Sequence, residues 1–435
     1  MKMLDASEYP KRREELTKRL GENSAILLAS GSEKTRNADT HFRFRVDSDF
    51  YYLTGFAEPE AVFLLRPGHD EPSVLFCQDR DPLMEQWEGK RLGPERAPEA
   101  LKIAKAYSIK ELHEKLPALL SGVETLHFPI GRYEWLDQAV GKWQRELKAK
   151  ERRGPRAPLN WSDVDRVLHS MRQIKSKAEI EQMQAVADIS VAAHKAAMSL
   201  SRPGIWEYEL EAAIMHKFMM HGCQAAAYPS IVAGGENANI LHYISNNQVI
   251  KDGDLVLIDA GGELDAYAAD ITRTFPVNGQ FTSAQKDIYN IVLQAQLKAI
   301  EAIKPGVPYK SYHQAALNVL VDGLISLGML KGSVEENIKS EAYKRFYMHG
   351  TGHYLGMDVH DVGSYVCGKE SIEMQVGMAV TVEPGLYIPN DDDIPEAYRG
   401  IGIRIEDDII VTENGTHNLT VAAPKTVEEI ESWMA

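Results

Sequence analysis

Two apolar runs in the second half of the chain each end on a carboxylate. LVLI at 255–258 is followed by Asp259, and AVTV at 379–382 is followed by Glu383 and then a Pro-Gly pair. Short apolar runs bounded by turn residues are typical of buried strands. A carboxylate that ends such a strand pays several kcal/mol of desolvation if it is buried without a partner. The fold must therefore bring a cation to these acids or turn them towards water.

Acidic residues are concentrated in the same half of the chain. The 435 residues include 48 Lys and Arg against 63 Asp and Glu, a formal charge of −15. Residues 1–175 hold 30 basic and 28 acidic residues, whereas residues 176–435 hold 18 and 35. Neither half offers the basic face that nucleic-acid binding requires. The acidity of the second half indicates either ordinary solubility or a site for metal ions or a cationic substrate.

The chain carries no visible targeting signal. Its first twenty residues lack an apolar segment behind their basic residues, and no run of about 18 apolar residues occurs anywhere. These features predict a cytoplasmic protein that neither enters nor binds a membrane. Three widely spaced cysteines fit reduced thiols better than a disulfide framework: Cys77, Cys223 and Cys367.

Apolar periodicity predicts an α/β N-terminal domain. The basic segment 148–160 contains Gly and Pro and is the best linker candidate, so we expect domains at 1–174 and 175–435. Predicted strands of the first domain are 24–30, 49–56, 61–68 and 73–77, and a predicted helix covers 108–120.

Helices and strands also alternate in the second domain. Capping boxes begin two predicted helices, at Ser176 with Glu179 and at Thr282 with Gln285. A third helix is predicted from about Trp206 to His221. Predicted strands are 254–261, 267–275, 378–388 and 402–411.

A second acid accompanies Asp259. Asp270 lies in the next predicted strand, and GGELD between the two acids has the composition of a turn. A hairpin would place the two carboxylates across from each other, near enough to share a cation. The alternative is a solvated Asp259 in a turn and an Asp270 paired with Arg273.

Segment 349–361 contains three histidines separated by glycines: His349, His353 and His360. Glycine permits close backbone approach, as expected where a chain wraps a ligand or an ion. The alternatives are histidines satisfied within a core, or histidines that orient a substrate. Further on, Arg404 and Glu406 are two residues apart and share one face of a predicted strand, unless they form a surface ion pair on an edge strand.

Together these motifs supply four carboxylates and at least one imidazole, a donor set without sulfur. Such donors suit Mn²⁺, Co²⁺ or Zn²⁺. One divalent ion would leave four carboxylates at −2, whereas two ions bring them to neutrality. We therefore expect two metal ions, about 3.5 to 4 Å apart.

With these motifs the sequence resembles the pita-bread metallopeptidase family (M24 type), and most closely its Xaa-Pro aminopeptidase (aminopeptidase P) branch. The resemblance covers essentially the whole chain and implies an α/β (α+β) protein. Its N-terminal domain would be creatinase/aminopeptidase P-like, and its C-terminal domain would be the pita-bread catalytic domain. It also implies a homo-oligomer, commonly a dimer or tetramer. The matching segments are 49–68, 172–183, 259–279, 349–363, 382–388 and 402–408.

The resemblance implies a role for each metal ligand. Asp259 would chelate one ion, Asp270 and Glu406 would bridge both, and His353 with Glu383 would hold the second. Glu383 would also act as a catalytic residue by taking a proton from the attacking water.

The same resemblance implies the substrate contacts. His242 and His360 would be catalytic residues that touch the substrate, with His360 near the scissile carbonyl. His349, Tyr387 and Arg404 would line or support the pocket for the proline that follows the scissile bond.

The function implied is a metal-dependent exopeptidase that hydrolyses the bond between an N-terminal residue and a penultimate proline. A hydroxide activated by two metal ions, with Mn²⁺ expected and Zn²⁺ or Co²⁺ as alternatives, would attack the carbonyl. Peptides with proline at position two would be its partners. The nearest rival is prolidase, which has the same ligands and cleaves only Xaa-Pro dipeptides. An inactive pita-bread binding module is disfavoured because all five ligand positions are intact.

Two further features of the sequence, a tryptophan and an acidic run, each allow two interpretations. Trp87 is either an ordinary packed aromatic or part of a segment that, in similar enzymes, reaches towards an active site. The run Asp391 to Asp393 is either a solvated loop or part of an acidic mouth that attracts the α-amino group of the substrate.

Overall fold

A computed structural model describes residues 4–21 and 23–435, and the chain divides into two compact units. One unit comprises Asp5–Met171, and the other comprises Leu4 with Arg172–Ala435. The units divide between residues 171 and 172. This division lies close to the boundary between 174 and 175 that we expect from the sequence.

The first unit is built on a six-stranded mixed sheet of order β6-β5-β4-β1-β7-β8, in which β4 runs opposite to the other five strands. Its core packs the fully buried Trp143 with apolar residues of the sheet, including Leu64, Phe76 and Leu126. The strands are β1 Ser24–Ala29, β2 Thr35–Asn37, β3 Thr40–His41, β4 Val62–Leu65, β5 Ser73–Cys77, β6 Lys105–Ser108, β7 Thr125–Phe128 and β8 Asn160–Asp163. The helices are α1 Glu8–Arg19, α2 Ser48–Thr54, α3 Pro82–Glu88, α4 Gly93–Leu101, α5 Leu112–Leu120, α6 Glu134–Lys150 and α7 Asp165–Gln173.

One strand prediction in this unit is wrong. Segment 49–56 belongs largely to helix α2, because Asp47 accepts a hydrogen bond from the Phe50 amide at 3.0 Å and Gly55 ends the helix at φ 64°. Both are strong helix-end signals. All seven residues of α2 are buried, so its apolar aromatic sequence shows no helical period.

Segment 148–160 is a connection inside the first unit. Helix α6 continues to Lys150, and β8 begins at Asn160 and pairs in parallel with β7. The Gly and Pro residues between them serve a turn before an edge strand.

The second unit contains three three-stranded antiparallel sheets, β10-β11-β14, β13-β12-β9 and β17-β20-β21, together with smaller pairings. Helix α8 packs on α9, and α10 packs on α11. The strands are β9 Ala225–Ala226, β10 Ile231–Gly234, β11 Leu255–Asp259, β12 Gly262–Leu264, β13 Tyr267–Ala268, β14 Thr272–Pro276, β15 Val366–Cys367, β16 Glu370–Ser371, β17 Ala379–Val382, β18 Gly385–Tyr387, β19 Gly402–Arg404, β20 Asp407–Thr412 and β21 Gly415–Asn418. The helices are α8 Lys177–Leu200, α9 Glu207–Met220, α10 Ser283–Ala302, α11 Ser311–Ser326, α12 Val334–Lys339 and α13 Val427–Met434.

The three predicted helices of this unit are confirmed as α8, α9 and α10, and both predicted capping boxes are present. The predicted strand 267–275 is instead divided into β13 and β14. The turn lies at Asp265 and Ala266, both with positive φ, so of the predicted GGELD turn only the final Asp265 takes part, while Gly262–Leu264 form β12. The chain is pinched at Gly261, where a Cβ would lie 1.6 Å from the Ala269 carbonyl oxygen. A side chain at 261 would therefore force the two segments apart.

The three cysteines are free thiols, as predicted, with Cys77 and Cys223 buried and Cys367 exposed. Burial raises the pKa of Cys77 to about 12, so this thiol is unreactive at neutral pH. Within the described residues, no helix has both the length and the apolar character that crossing a bilayer requires.

Candidate functional site

The second unit encloses a cavity of about 520 Å³. Nine of the ten site residues predicted from the sequence line this cavity. The tenth, Tyr387, hydrogen-bonds to two of the lining residues, His349 and Arg404. The nine are His242, Asp259, Asp270, His349, His353, His360, Glu383, Arg404 and Glu406.

Strand ends deliver the acids to this cavity. Asp259 is the last residue of β11, and Glu383 follows β17 directly. Pro384 has no N–H, so the ladder cannot continue past Glu383. Asp270 lies just before β14, where the ladder pairs Asp259 with Thr272, and Glu406 lies just before β20. The predicted approach of Asp259 and Asp270 therefore occurs, but in the loop before β14 and not across a hairpin ladder.

The sheets β10-β11-β14 and β17-β20-β21 meet at Thr272 and Glu406. The Glu406 amide donates to the Thr272 carbonyl at 3.0 Å, and the Thr272 hydroxyl donates to Glu406 Oε2 at 2.7 Å. Arg404 and Glu406 are 4% and 1% exposed, which excludes a surface ion pair. Arg404 ends β19 and Glu406 lies in the break before β20, so the single strand predicted for 402–411 is also divided.

Tyr228 joins two of the carboxylates. Its hydroxyl donates to Asp259 Oδ1 at 2.6 Å and also lies in very short contact with Asp270 Oδ1. Asp270 does not pair with Arg273. That guanidinium binds Asp407 at 2.7 Å, and both side chains are fully buried, which removes the structural alternative for Asp270.

Burial, together with mutual repulsion, perturbs the pKa values of the acids in the cavity. Burial and the neighbouring Asp259 raise the pKa of Asp270. Burial, reinforced by Asp270, raises the pKa of Glu383 to about 7 and that of Glu406 well above its usual value. The pKa of Asp259 is the exception. Burial would raise it, but Arg404, the Tyr228 hydroxyl and His194 together outweigh that effect and lower it.

His353 is placed among these acids by β17. The Thr381 amide donates to the His353 carbonyl at 2.9 Å, and Nε2 of the ring lies 3.5 Å from Asp270 and 3.6 Å from Glu383. Burial lowers the pKa of this histidine, but the two carboxylates outweigh it and raise the pKa to about 9. The cluster thus attracts positive charge at neutral pH.

The donor set fits divalent metal ions. Single ligand atoms of Asp270, His353 and Glu406 all lie within 4.8 Å of one another, and Asp259 and Glu383 line the same cavity. Carboxylate oxygens and an imidazole nitrogen, without sulfur, suit Mn²⁺, Co²⁺ or Zn²⁺.

A second acid and histidine cluster lies in the first unit, at Asp49, Asp165 and His169. Arg132 already binds both of its acids at 2.8 Å. A guanidinium therefore occupies the position that a metal ion would need, so this cluster is a structural ion-pair group.

A hydrogen-bonded chain lines one side of the cavity. His349 Nε2 lies 2.9 Å from the Tyr387 hydroxyl, which accepts from Arg404 at 2.8 Å. Burial lowers the pKa of His349 to about 4, so this ring is neutral at pH 7. The His360 ring stands nearly perpendicular to that of His353, with centroids 4.3 Å apart, and His360 itself is exposed.

Sequence reasoning missed Tyr228 and the apolar wall of the cavity. The wall is formed by Pro229, Ile231, Leu241, Ile244 and Val359. A tyrosine followed by proline just before an apolar run was the only local signal, and it says nothing about which acids the hydroxyl reaches.

Two open interpretations are now narrowed. Trp87 on α3 is 86% exposed, so the packed-aromatic interpretation is wrong, while its reach towards an active site stays a prediction. Arg345 pairs with Asp391 at 2.7 Å and with Asp393 at 2.6 Å. The acidic run is thus a surface loop whose charge is largely matched.

Family models match both parts of the chain. The model described as aminopeptidase P, N-terminal domain, matches residues 9–127, and the model described as metallopeptidase family M24 matches residues 181–413. The α/β two-domain fold class predicted from the sequence is confirmed by these matches and by the similar solved structures.

Full-length relatives agree with the models. A Xaa-Pro aminopeptidase of Haemophilus influenzae is 45% identical over 438 residues, covering 100% of this chain and 98% of that protein. The structure of Pseudomonas aeruginosa aminopeptidase PepP is 46% identical with a TM-score of 0.98, covering 100% of this chain and 99% of that one. Zinc-substituted Escherichia coli aminopeptidase P in complex with product is 44% identical with a TM-score of 0.96, at 100% and 99% coverage. The chain therefore belongs to metallopeptidase family M24, in its Xaa-Pro aminopeptidase branch, as its motifs predicted.

Proposed function

We propose that this protein removes the N-terminal residue from peptides that have proline at position two, using two divalent metal ions. The observation that carries the proposal is the meeting of four carboxylates and His353 in one cavity that also holds His242, His349 and His360. The names of relatives that are 44–45% identical over the whole chain support the same substrate class.

Asp259, Asp270, His353, Glu383 and Glu406 would hold the ions. Their four negative charges match two divalent cations, which would offset the burial and the repulsion that raise the pKa of Asp270, Glu383 and Glu406. When bound, the ions supply the positive charge that turns a water into a hydroxide nucleophile near neutral pH and polarises the scissile carbonyl. Mn²⁺ is the expected metal, with Zn²⁺ or Co²⁺ as alternatives.

Glu383 would accept the proton of the attacking water. Its carboxylate lines the cavity, and its Oε1 lies 3.6 Å from His353 Nε2 and 3.5 Å from the Thr381 hydroxyl. These two contacts hold it beside the nucleophile that the proposal requires.

His360 would donate to the oxygen of the scissile carbonyl as negative charge develops there. A donor in this role is worth about 3 to 4 kcal/mol of transition-state stabilisation. His242 is also exposed in the cavity and would contact the peptide.

Selection of proline would rest on shape. The Xaa-Pro bond is a tertiary amide without an N–H, so ordinary peptidases that bind this hydrogen lose a contact. His349, Tyr387 and Arg404 form one connected group that would support the pocket for the ring. The homo-oligomeric state implied by the resemblance and the cytoplasmic location predicted from the sequence stay predictions.

A pair of peptides tests the activity. The protein loaded with Mn²⁺ is incubated with Xaa-Pro and with Xaa-Pro-Yaa-Zaa, with Xaa-Ala-Yaa-Zaa as the control. We expect release of the first residue from the proline tetrapeptide alone or from both proline peptides. Turnover of the dipeptide alone would instead identify a prolidase.

A single substitution tests the metal assignment. Asp270→Ala should abolish hydrolysis and deplete bound metal, because a bridging ligand serves both ions. Asp322→Ala, at an exposed acid of α11, is the matched control and should leave both unchanged. Full metal content and near-normal turnover of Asp270→Ala would contradict the assignment.

A further inference from the structure

The loop that carries His360 has no helix or strand of its own. Residues 355–361 lie between Tyr354, which bridges to Val380 of β17, and the exposed hairpin β15–β16. Backbone contacts hold its two ends, with the Ala268 amide donating to Gly356 at 2.8 Å and the Asp361 amide to Tyr354 at 2.9 Å. The position of His360 between these ends therefore depends on tertiary contacts.

A buried ion-pair group adjoins His360. Asp361 accepts from Lys175 Nζ at 2.9 Å and from Arg172 Nη2 at 2.5 Å, and these three side chains are at most 2% exposed. Arg172 also binds Asp358, on the same loop, at 2.7 Å. Two cations thus face two carboxylates, so the group is electrically balanced.

The cations stand on a fixed support. The Lys175 amide donates to the Gly377 carbonyl at 2.8 Å, and the next residue, Ser176, caps the 24-residue helix α8. On the other side, a Cβ at Gly356 would lie 2.1 Å from Asp361 Oδ2. The carboxylate is therefore packed against backbone on one side and held by two cations on the other.

We infer that Asp361 is a positioning residue for His360. The two residues are neighbours in the chain. A shift of the Asp361 carboxylate therefore moves the His360 imidazole, which lies beside His353. Neither Asp361 nor its two cations line the cavity, so they would act on the reaction only through the loop. The inference rests on the proposed function, in which His360 acts on the scissile carbonyl.

The Asp361 carboxylate, which Lys175 and Arg172 hold, is ionised at neutral pH. Burial would raise the pKa of Asp361, but Lys175 and Arg172 outweigh it and hold the pKa below its usual range. Removing one partner of a buried pair leaves the other unpaired, which is costly. Loss of the carboxylate therefore releases the loop from its support.

A double-mutant cycle tests the inference. Asp361→Asn should lower kcat for Xaa-Pro-Yaa-Zaa by about 10- to 100-fold, since a misplacement of about 1 Å has effects of this size. In a His360→Ala background the same substitution should lower kcat by less than about twofold, because the group it positions is gone. Equal losses in both backgrounds would mean a purely structural role and would overturn the inference.

Stability and metal content are measured for every variant. Asp49→Asn is the matched control, since Asp49 is a buried carboxylate held by Arg132 and His169 in the first unit. It should lower the Tm but leave kcat within about twofold. A loss of kcat in Asp49→Asn as large as in Asp361→Asn would count against a specific role for Asp361.

A milder variant keeps the test decisive if Asp361→Asn fails to fold. Lys175→Met leaves the Arg172 pair in place, so its loss of kcat should be smaller and should again vanish in His360→Ala. Lys175→Arg should restore activity. Full activity of His360→Ala would overturn the role of His360 in the proposed function together with the inference, whereas additive losses overturn the inference alone.

Discussion

Arg404 donates a hydrogen bond from Nη2 to Oδ2 of Asp259 at 2.7 Å. Its other terminal nitrogen donates to Tyr387, which in turn contacts His349. One buried guanidinium thus connects a proposed metal ligand with a proposed substrate contact. Movement on either side would be transmitted through a single planar group whose two donors point in defined directions.

Arg404→Lys should therefore lower kcat by about 10- to 100-fold, the usual effect of losing a partner behind a metal ligand. Lysine keeps the charge but has one ammonium group, which cannot reach both Asp259 and Tyr387. Steady-state kinetics with a proline tetrapeptide measures the effect. Arg399→Lys, at a half-buried arginine that pairs with Asp392 outside the cavity, is the control and should leave kcat unchanged. Near-normal kcat in Arg404→Lys would show that the two-sided contact is dispensable.

Tyr228→Phe should weaken Mn²⁺ binding by about 10- to 100-fold. The variant removes the only hydroxyl seen to contact both Asp259 and Asp270 among the described residues, so the two carboxylates lose a common orienting donor. Chelator competition measures the Kd. Tyr289→Phe removes another buried hydroxyl, which binds the Lys425 carbonyl, and should leave the Kd unchanged. Equal Kd values for Tyr228→Phe and the parent protein would refute this role.

His194 should make the folded state acid-sensitive. It is fully buried on α8, and burial lowers its pKa from 6.5 to about 4. Below pH 6.5 His194 binds a proton in the unfolded chain but stays neutral in the folded state. The free energy of unfolding therefore falls as the pH is lowered to about 4. The loss from this residue is about 3 kcal/mol.

His194→Gln should remove that pH dependence. Its amide can still donate to the Ala260 carbonyl, which His194 contacts at 2.9 Å, but it does not titrate. Urea unfolding between pH 7 and pH 4 should therefore show a shallower fall than in the parent protein. His216→Gln, at an exposed histidine of α9, should leave the slope unchanged. Parallel curves for His194→Gln and the parent would contradict the prediction.

The acidic run should not contribute to peptide binding. Arg345 and Arg399 already pair with its members at the surface, and exposed charges are screened by salt. The double variant Asp391→Asn/Asp393→Asn should change KM by less than about twofold at low and at physiological ionic strength. A several-fold rise in KM at low salt would restore the acidic-mouth interpretation.

Local sequence accounts for much of the fold. Ser176 and Thr282 begin helices because a capping box satisfies amide groups within four residues of the chain. Helix α2 could not be recognised from the apolar periodicity, because all of its residues are buried and it has no contrast between an apolar and a polar face. The break at 269–271, between β13 and β14, could not be predicted, because it depends on the close backbone approach of Gly261 and Ala269, which local sequence does not indicate.

The predicted site residues could be named from the sequence because each lies in a short motif whose residue types limit its chemistry. Their partners could not be named. Arg273 binds Asp407 and not Asp270, and Tyr228 reaches both Asp259 and Asp270. These pairs are separated by tens of residues or more, and their distances are set only when sheets and helices pack. Residue types thus specified which donors the site contains, whereas packing specified which donor meets which acceptor, because hydrogen bonds and buried ion pairs form only over a few ångströms.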